Sequence, residues 1–445
     1  MNNKGFKSNI GFILASVGSA VGLGNIWSFP YKLASGGALF LYIYCVLALV
    51  VGIPLLISEL SIGRSSGSGA IIAYKKISPK LGFLGVFSVI SPCIVMSYYS
   101  VIGGMCIRYF LINLKSCLGI FNNIDSTLLF KNISQDTVSA ILFSCLFIIV
   151  TYLISQKGIS EGIEKFNKIA MPMLFAILLI TMFATLNQEN ANAGITHLFI
   201  AENKYTFGQI ISTFSSAGEQ MFFSLSIAVG TMVTYGSFMN KKQNIPSGAV
   251  TITIADSIVA FMAGLAIIPV AFSLNLTEQQ LSGPGLLFVT MQSIFASDSK
   301  TGAIFGALFF LLVIIAAVSS AVAFLEVPVS AIMDMGIKNR KTVLIFCCML
   351  LTVPSIIIAS DGFRNGVMDL FIFIAEGLII PITSLIFSVY IGWFDGLNLI
   401  IKEAENGKTD SICRKTFPII FKFLVPIVLV VVIIGQIVNF LTKVN

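Results

Sequence analysis

The stretch GSAVGLGNIWSFP, residues 18–30, interrupts an apolar run over residues 10–44 with three glycines, an asparagine and a proline. Inside a bilayer every backbone N–H and C=O group needs a partner, so unwound backbone occurs only beside protein, ligand or water. Gly18 and Gly22 alone would suit plain helix–helix packing, but the polar and helix-breaking residues behind them are not needed for it. We therefore expect a helix that is broken near mid-membrane and offers free carbonyls and amides.

The composition is that of a polytopic membrane protein. Of 445 residues, 56% are hydrophobic and 11% are charged, and the mean hydropathy is +0.96, far outside the range of soluble domains. The 27 Lys and Arg exceed the 20 Asp and Glu, but the basic residues lie between apolar runs. This surplus indicates membrane topology, so nucleic acid is not an expected partner.

Crossing a bilayer takes about 20 apolar residues. The sequence contains eleven such segments, near 10–34, 38–62, 82–113, 137–155, 163–185, 208–238, 248–273, 302–333, 341–359, 367–394 and 416–441. If Lys4 and Lys7 are inside, most basic residues lie in loops on the same side. The positive-inside rule then predicts a cytoplasmic amino terminus and, after eleven crossings, an extracytoplasmic carboxyl terminus.

The sixth apolar segment repeats the irregularity of the first, because GEQMFFSLSIAVG places two serines, Glu219 and Gln220 in an apolar context. Two irregular spans, each opening a block of five, indicate inverted repeats with a binding site between them at the midplane. We predict one transmembrane domain, residues 1–445, made of a repeat over about 10–185, a repeat over about 208–394 and an extra helix over about 416–441.

Several apolar segments also carry acids. Glu59, Asp256, Asp369 and Glu376 each fall inside or at the start of a span. An ionisable group in a span normally faces protein or water, and a buried carboxylate needs a cation, a proton or several donors. These acids are therefore candidate functional residues.

The candidate ligating atoms are all hard oxygens. Besides the free carbonyls, they come from Asn25, Ser224, Asp256 and the Ser319–Ser320 pair, although paired serines equally suit helix packing or bonding to their own backbone. The chain has a single histidine and no CxxC motif, which argues against soft-metal sites, haem and a disulfide framework. Oxygen donors suit a hard cation, and helix amino termini beside them suit a carboxylate. The pattern predicts ion-coupled carriage of a zwitterion.

These residues resemble the neurotransmitter:sodium symporter family, in its bacterial amino-acid branch with the LeuT-type fold. The likeness covers about residues 6–395 and rests on the motifs SAVGLGNIWSFPY, GIPLLISELSIGR, YY, QMFFSLS, AAVSSA and MDLF. It implies an all-α polytopic membrane protein with a 5+5 inverted repeat, broken first and sixth helices and eleven transmembrane helices. It also implies a place in the bacterial cytoplasmic (inner) membrane.

The resemblance implies two sodium sites. One would use the carbonyls of Gly18, Val21 and Ala316 and the hydroxyls of Ser319 and Ser320. The other would use the carbonyl of Ala20, the side chains of Asn25, Ser224 and Asp256, and the substrate carboxylate.

The resemblance also implies which residues contact the substrate and which close the site. Substrate contacts would come from Ala20, Gly22, Leu23, Gly24, Val95, Tyr99, Phe223, Ser224, Ser226, Val229, Ser320 and Phe324. Tyr99 and Phe223 would form the outer lid, with Asp369 as the outer gate acid and Asp334 as the inner one. The chain departs from the family pattern at Ser28, where an arginine often pairs with the outer acid, and at Asn3 and Phe6, which leaves Lys4 or Lys7 to pair with Asp334.

The function we expect is sodium-coupled import of a hydrophobic or aromatic L-amino acid by alternating access. Gly22 stands where monoamine carriers have an aspartate, so the substrate should bring its own carboxylate. Asp256 supplies fixed negative charge, so chloride should not be required. Another small zwitterion, or an ion channel, is the alternative; an enzyme is not expected because no nucleophile–base set is present. The expected partners are the amino acid and the lipid bilayer.

Overall fold

The computed structural model describes residues 5–120, 125–187, 191–200, 205–273, 285–295, 300–362, 366–405 and 412–444, and within these ranges all regular structure is helical. The α-helices are α1 (Asn9–Ala20), α2 (Phe29–Leu47), α3 (Ile53–Ser66), α4 (Ala70–Ile77), α5 (Gly82–Cys117), α6 (Ser126–Gln135), α7 (Thr137–Ser155), α8 (Lys165–Leu186), α9 (Ala191–Phe199), α10 (Phe207–Ser224), α11 (Thr231–Ser237), α12 (Ile245–Ser273), α13 (Met291–Phe295), α14 (Lys300–Asp334), α15 (Arg340–Asp361), α16 (Val367–Ile372), α17 (Ile380–Trp393), α18 (Leu397–Glu405), α19 (Ile412–Ile419) and α20 (Val425–Val444). Short π-helical turns occupy Gly24–Ser28, Ala48–Gly52, Ile159–Glu164, Leu286–Thr290, Phe373–Ile379 and Ile420–Leu424, and a 3₁₀ turn occupies Pro79–Leu81.

Nine helical stretches in the described part of the chain are long and apolar enough to cross a membrane. The longest, Gly24–Ser66, has 43 residues and bends at Gly37, whose φ is 53°, so it joins the outer half of the first span to the whole of the second. The first and sixth spans do not count as separate stretches among these nine, since the outer half of the first belongs to Gly24–Ser66 and the sixth is divided between α10 and α11. The arrangement is consistent with the predicted eleven crossings, while the repeat boundaries stay a prediction.

The first span (residues 9–36) is broken where the sequence predicted. α1 ends at Ala20, and Val21 is extended with φ −73° and ψ 102°. Helical structure resumes with the turn Gly24–Ser28 and continues into α2, where Pro30 lies in the first turn. A proline is favourable there because the first turn of a helix has no intrahelical partner for the missing N–H. The unwound backbone is therefore confined to residues 21–22, because Leu23 already has helical dihedral angles.

The sixth span (residues 207–237) is broken between α10 and α11. Ser226 and Ala228 have φ of 52° and 61°, a left-handed conformation that costs an L-residue energy unless its surroundings hold it. Glu59 Oε1 accepts a hydrogen bond from the Ala228 amide at 2.6 Å, and Ser226 Oγ donates to the Ser19 carbonyl at 3.1 Å. The second and first spans thus hold the strained segment in place.

α20 packs tightly on α10. The Ser215 hydroxyl donates to the Val432 carbonyl at 3.0 Å, Gly218 lies against the Val432 side chain and Gly435 lies against Ser215. The last helix, which follows both predicted repeats, therefore contacts the outer half of the sixth span directly.

Candidate functional site

The first group of oxygen atoms lies between the break in α1 and the middle of α14. Ser320 Oγ is 3.3 Å from both the Gly18 carbonyl and the Val21 carbonyl, and Ser319 Oγ donates to the Ala316 carbonyl at 2.9 Å. Both hydroxyls are buried. All five predicted ligands of one sodium site thus lie in one small, buried region.

The second group surrounds Asp256 on α12, which is fully buried. Its carboxylate accepts hydrogen bonds from Asn25 Nδ2 at 2.8 Å, Ser224 Oγ at 2.7 Å and the Tyr44 hydroxyl at 3.3 Å. Among the ion pairs of the described residues, none involves Asp256. A buried carboxylate that meets only neutral donors is suited to receive a cation. Ala20, whose carbonyl is the predicted backbone ligand of this sodium, is the last residue of α1.

The residue types fit sodium rather than a transition metal. Every candidate ligand is a carbonyl, amide, hydroxyl or carboxylate oxygen, the donor class that hard cations prefer. Within the ranges that the structure describes, no three His, Cys, Asp or Glu side chains group as a transition-metal site would require. The site is thus suited to a hard cation, and the Asp256 carboxylate supplies one fixed negative charge.

The unwound backbone between the two groups carries amides and close contacts. The Leu23 amide donates to the Tyr99 hydroxyl at 2.9 Å, and the Gly22 amide donates to Asn25 Oδ1 at 3.1 Å. A side chain at position 22 would collide with Ser320 Oγ and the Tyr99 hydroxyl. Glycine at position 22 is therefore required by the packing of three spans around it.

Apolar side chains complete the site. Val95, Val229 and Phe324 are buried, and the Phe324 ring meets the Tyr99 ring edge-on with centroids 5.6 Å apart. The Phe223 ring lies 2.9 Å from the point where a Cβ at position 24 would be. Phe223 is only 8% exposed, so its ring is buried against the first span.

On the outer side, Ser28 takes the place of the arginine in the family pattern and has a hydrogen-bond partner of its own. Its hydroxyl donates to Gln220 Oε1 at 2.8 Å, and the amide of the same glutamine donates to the Gly24 carbonyl at 2.9 Å. Asp369 lies in the first turn of α16 and is exposed. The structure therefore links the two broken spans through Gln220, and a gating role for Asp369 stays a prediction.

On the inner side, Asp334 at the end of α14 accepts a hydrogen bond from the Gly69 amide at 2.5 Å. Lys7 forms an ion pair with Glu161, and its own amide donates to Glu164 at 2.7 Å. The chain before α1 is thus fastened to the start of the fifth span rather than to Asp334 through Lys7.

Phe6 also holds the chain before α1 in place, because its ring packs edge-on against the rings of Phe12 and Tyr235 at centroid distances of 5.4 Å and 5.5 Å. Asn3 and Lys4 lie outside the described residues.

The sequence alone does not assign a role to three residues that the structure places in or beside the site. Tyr44 was not singled out, although a tyrosine in an apolar span needs a partner for its hydroxyl. Glu59 is a candidate acid in the sequence, and in the structure its carboxylate accepts the Ala228 amide at the break of the sixth span. Gln220 is visible in the sequence only as a polar residue in an apolar segment, and nothing in its local sequence indicates that it bonds to the first span.

Comparisons with known proteins identify the family. A profile described as the sodium:neurotransmitter symporter family matches residues 3–124 and 121–445. The chain is 31% identical over 448 residues to an uncharacterised sodium-dependent transporter of Bacillus subtilis, YhdH, covering 97% of both chains. It is 33% identical over 419 residues to an uncharacterised sodium-dependent transporter of Methanocaldococcus jannaschii, covering 89% of this chain and 83% of that one.

Among solved structures, the crystal structure of MhsT in complex with L-phenylalanine matches with a TM-score of 0.89 at 31% identity. The match covers 98% of this chain and 100% of that one. These likenesses span almost the whole sequence, including both helix breaks and the oxygen groups beside them. The chain therefore belongs to the sodium:neurotransmitter symporter family, as a multi-pass, sodium-dependent transporter with the LeuT-type fold and no enzymatic role.

Proposed function

We propose that this transporter imports a hydrophobic or aromatic L-amino acid together with sodium, by alternating access and without chloride. The observation that carries the proposal is the buried Asp256 carboxylate, which meets three neutral donors beside unwound backbone. Two sodium ions would occupy the two oxygen groups. The amino terminus would be cytoplasmic and the carboxyl terminus extracytoplasmic, in a bacterial cytoplasmic membrane.

A zwitterionic α-amino acid fits the polar part of the site. Its carboxylate would meet the amides of Leu23 and Gly24 and the Tyr99 hydroxyl, while its ammonium would meet the carbonyls of Ala20 and Phe223. Ser224 and Ser226 would offer two further carbonyls to the ammonium. Because position 22 carries no acidic side chain, the negative charge that would meet these groups has to come from a carboxylate that the substrate brings.

Coupling follows if the substrate carboxylate is also a ligand of the sodium ion beside Asp256. An ion that completes the substrate site and a substrate that completes the ion's shell raise each other's affinity by the same factor. Each would then bind weakly without the other. This reciprocity is what links uptake to the sodium gradient.

The side-chain part of the site favours bulk and apolarity. Val95, Val229 and Phe324 present carbon atoms only, and each methylene that a ligand buries is worth about 0.8 kcal/mol. The structural relative MhsT was crystallised with L-phenylalanine. We infer that phenylalanine, tyrosine, tryptophan or leucine outranks glycine and alanine.

The direct test is sodium-driven uptake in proteoliposomes with a panel of amino acids and their decarboxylated amines. We expect saturable, electrogenic uptake of a large apolar amino acid, and at least about a hundredfold weaker binding of the matching amine, because the amine cannot complete the sodium shell. Equal binding of the amine would refute the amino-acid assignment. Flux that does not saturate would indicate a channel, and preference for a methylated zwitterion would indicate another carrier.

Val229→Phe should shift the preference toward smaller substrates, since a larger side chain fills the buried volume that a large substrate needs. We expect about a tenfold loss of tryptophan affinity relative to alanine, measured by competition against a radiolabelled substrate. Val250→Phe is the matched control, because Val250 is exposed on α12. An unchanged ranking in Val229→Phe would remove this residue from the pocket.

A further inference from the structure

A cluster of aromatic and basic side chains lies on the lipid-facing surface where the tenth span ends and the eleventh begins. It consists of Trp393, Phe394, Lys422 and Phe423, and we call it the interface cluster. The three aromatic side chains are each more than half exposed. The Trp393 ring meets the Phe423 ring edge-on with centroids 5.6 Å apart, and Lys422 Nζ lies 5.6 Å from the Trp393 ring centroid. One lysine thus lies among rings that face outward.

The interface cluster is held by close contacts between α17 and the π-helical turn Ile420–Leu424. A Cβ at Gly392 would be 2.6 Å from the Phe421 carbonyl oxygen, so the two backbones touch here. Trp393 Nε1 donates to the Lys422 carbonyl at 3.1 Å. The indole N–H is therefore satisfied, and the Lys422 ammonium is the side-chain donor that the cluster offers to a ligand.

Lys422 lies inside an apolar segment and has no carboxylate partner. None of the ion pairs of the described residues includes it. Asp395, just after α17, accepts a hydrogen bond from the Gly396 amide at 2.7 Å, and Glu405 pairs with Arg414. An ionisable group in a span normally has a partner, and a ring face supplies only part of what an ammonium needs. The missing partner is an anion.

The position of the interface cluster indicates where that anion comes from. Trp393 ends the helical stretch Val367–Trp393, and Lys422 lies in the stretch Cys413–Thr442. Tryptophan and lysine suit the membrane–water interface, because each has an apolar body and a polar end. By the predicted orientation this end of the tenth span is cytoplasmic, and the cytoplasmic leaflet is the one that carries negative surface charge.

We propose that Trp393 and Lys422 form a headgroup site for an anionic phospholipid. The Lys422 ammonium pairs with the lipid phosphate, whose oxygens accept the N–H donors that the ring leaves free. The exposed rings of the interface cluster pack on the glycerol backbone and the upper acyl chains, which a free phosphate ion does not have. A zwitterionic phospholipid carries a cation that competes with Lys422 for its phosphate, so a lipid without that cation binds better.

The test uses the two tryptophans of the chain as reporters. Trp27 is buried, so contact quenching by brominated lipid reports on Trp393, and Trp393→Phe gives the background. The transporter is reconstituted in phosphatidylcholine vesicles that contain equal fractions of either brominated phosphatidylglycerol or brominated phosphatidylcholine. We expect about fivefold enrichment of phosphatidylglycerol over phosphatidylcholine at Trp393, which is the effect of one lysine charge beside anionic lipid.

Substitutions of the lysine separate a headgroup site from the general charge of the protein surface. Lys422→Gln should bring the ratio close to one while both brominated lipids still quench Trp393, and Lys422→Arg should keep the preference. Lys157→Gln is the matched control, because Lys157 is an exposed lysine between α7 and α8. A ratio near one in the wild type, a preference that survives Lys422→Gln, or an equal drop in Lys157→Gln would overturn the proposal.

Competition in the wild type gives a second measurement if Lys422→Gln is not recovered folded. Unlabelled phosphatidylglycerol should displace the brominated form from Trp393 and reach saturation, whereas inorganic phosphate should displace none. Displacement by inorganic phosphate, or quenching that never saturates, would overturn a lipid site. The measurement needs neither substrate nor a sodium gradient, so its outcome is independent of the proposed function.

Discussion

Asp256→Asn and Asp256→Ser are expected to lose about tenfold or more of their uptake in gluconate and to recover part of it in chloride, whereas the wild type is indifferent to the anion. Asp256 is buried and its carboxylate accepts hydrogen bonds from Asn25, Ser224 and Tyr44. A sodium ion and a zwitterion leave positive charge uncompensated, and at an effective dielectric of about 20 a charge pair at 4 Å is worth about 4 kcal/mol. The carboxylate supplies the compensating charge permanently.

The measurement is the initial uptake rate at a fixed sodium gradient with chloride or gluconate as the anion. Asp136→Asn is the control, since Asp136 lies at the start of α7 and pairs with Arg108 outside this site. Wild-type uptake that collapses in gluconate would contradict chloride independence. A variant that gains chloride dependence would support it.

Gly22→Val should abolish uptake, with a loss of at least about a hundredfold, because overpacking at the crossing of three spans cannot be relieved by a single rotamer change. A Cβ at position 22 would collide with Ser320 Oγ and the Tyr99 hydroxyl. Sodium-dependent substrate binding should be lost with uptake.

The control for this change is Gly208→Val. Gly208 lies near the start of α10, and a Cβ there meets no atom within 4 Å. Both variants receive the same branched side chain, one in the break of the first span and one near the start of α10. Full uptake by Gly22→Val would show that the substrate binds elsewhere.

The sequence predicted the first-span break well because its cause is local. Glycines and an asparagine inside an apolar run violate the requirement for satisfied backbone, and the helix does end at Ala20. The sixth-span break was harder to localise, because its left-handed residues are Ser226 and Ala228 rather than glycines. Their conformation depends on Glu59 from another span, and no local propensity encodes that contact.

The residues that come together in the site could not be predicted from the local pattern of the sequence. Asn25 and Asp256 are 231 residues apart, and only the family resemblance brought them together before the fold was known. Lys32 Nζ lies 3.2 Å from Glu219 Oε2, and the sequence indicates only that a lysine in an apolar run normally has a partner. Its pairing with Glu219 depends on how α2 and α10 cross, which is a property of the tertiary structure.

The tight packing of α20 on α10 has a consequence for how the bilayer acts on this transporter. Gly218 against Val432 and Gly435 against Ser215 bring the two helices into close contact, and we expect them to tilt together. The opposite face of α20 carries exposed side chains such as Ile427, which is 62% exposed and faces lipid. A change in hydrocarbon thickness alters the preferred tilt of a spanning helix at a cost of a fraction of a kcal/mol per Å. Lipid composition should therefore bias the resting balance between outward-open and closed forms of the protein.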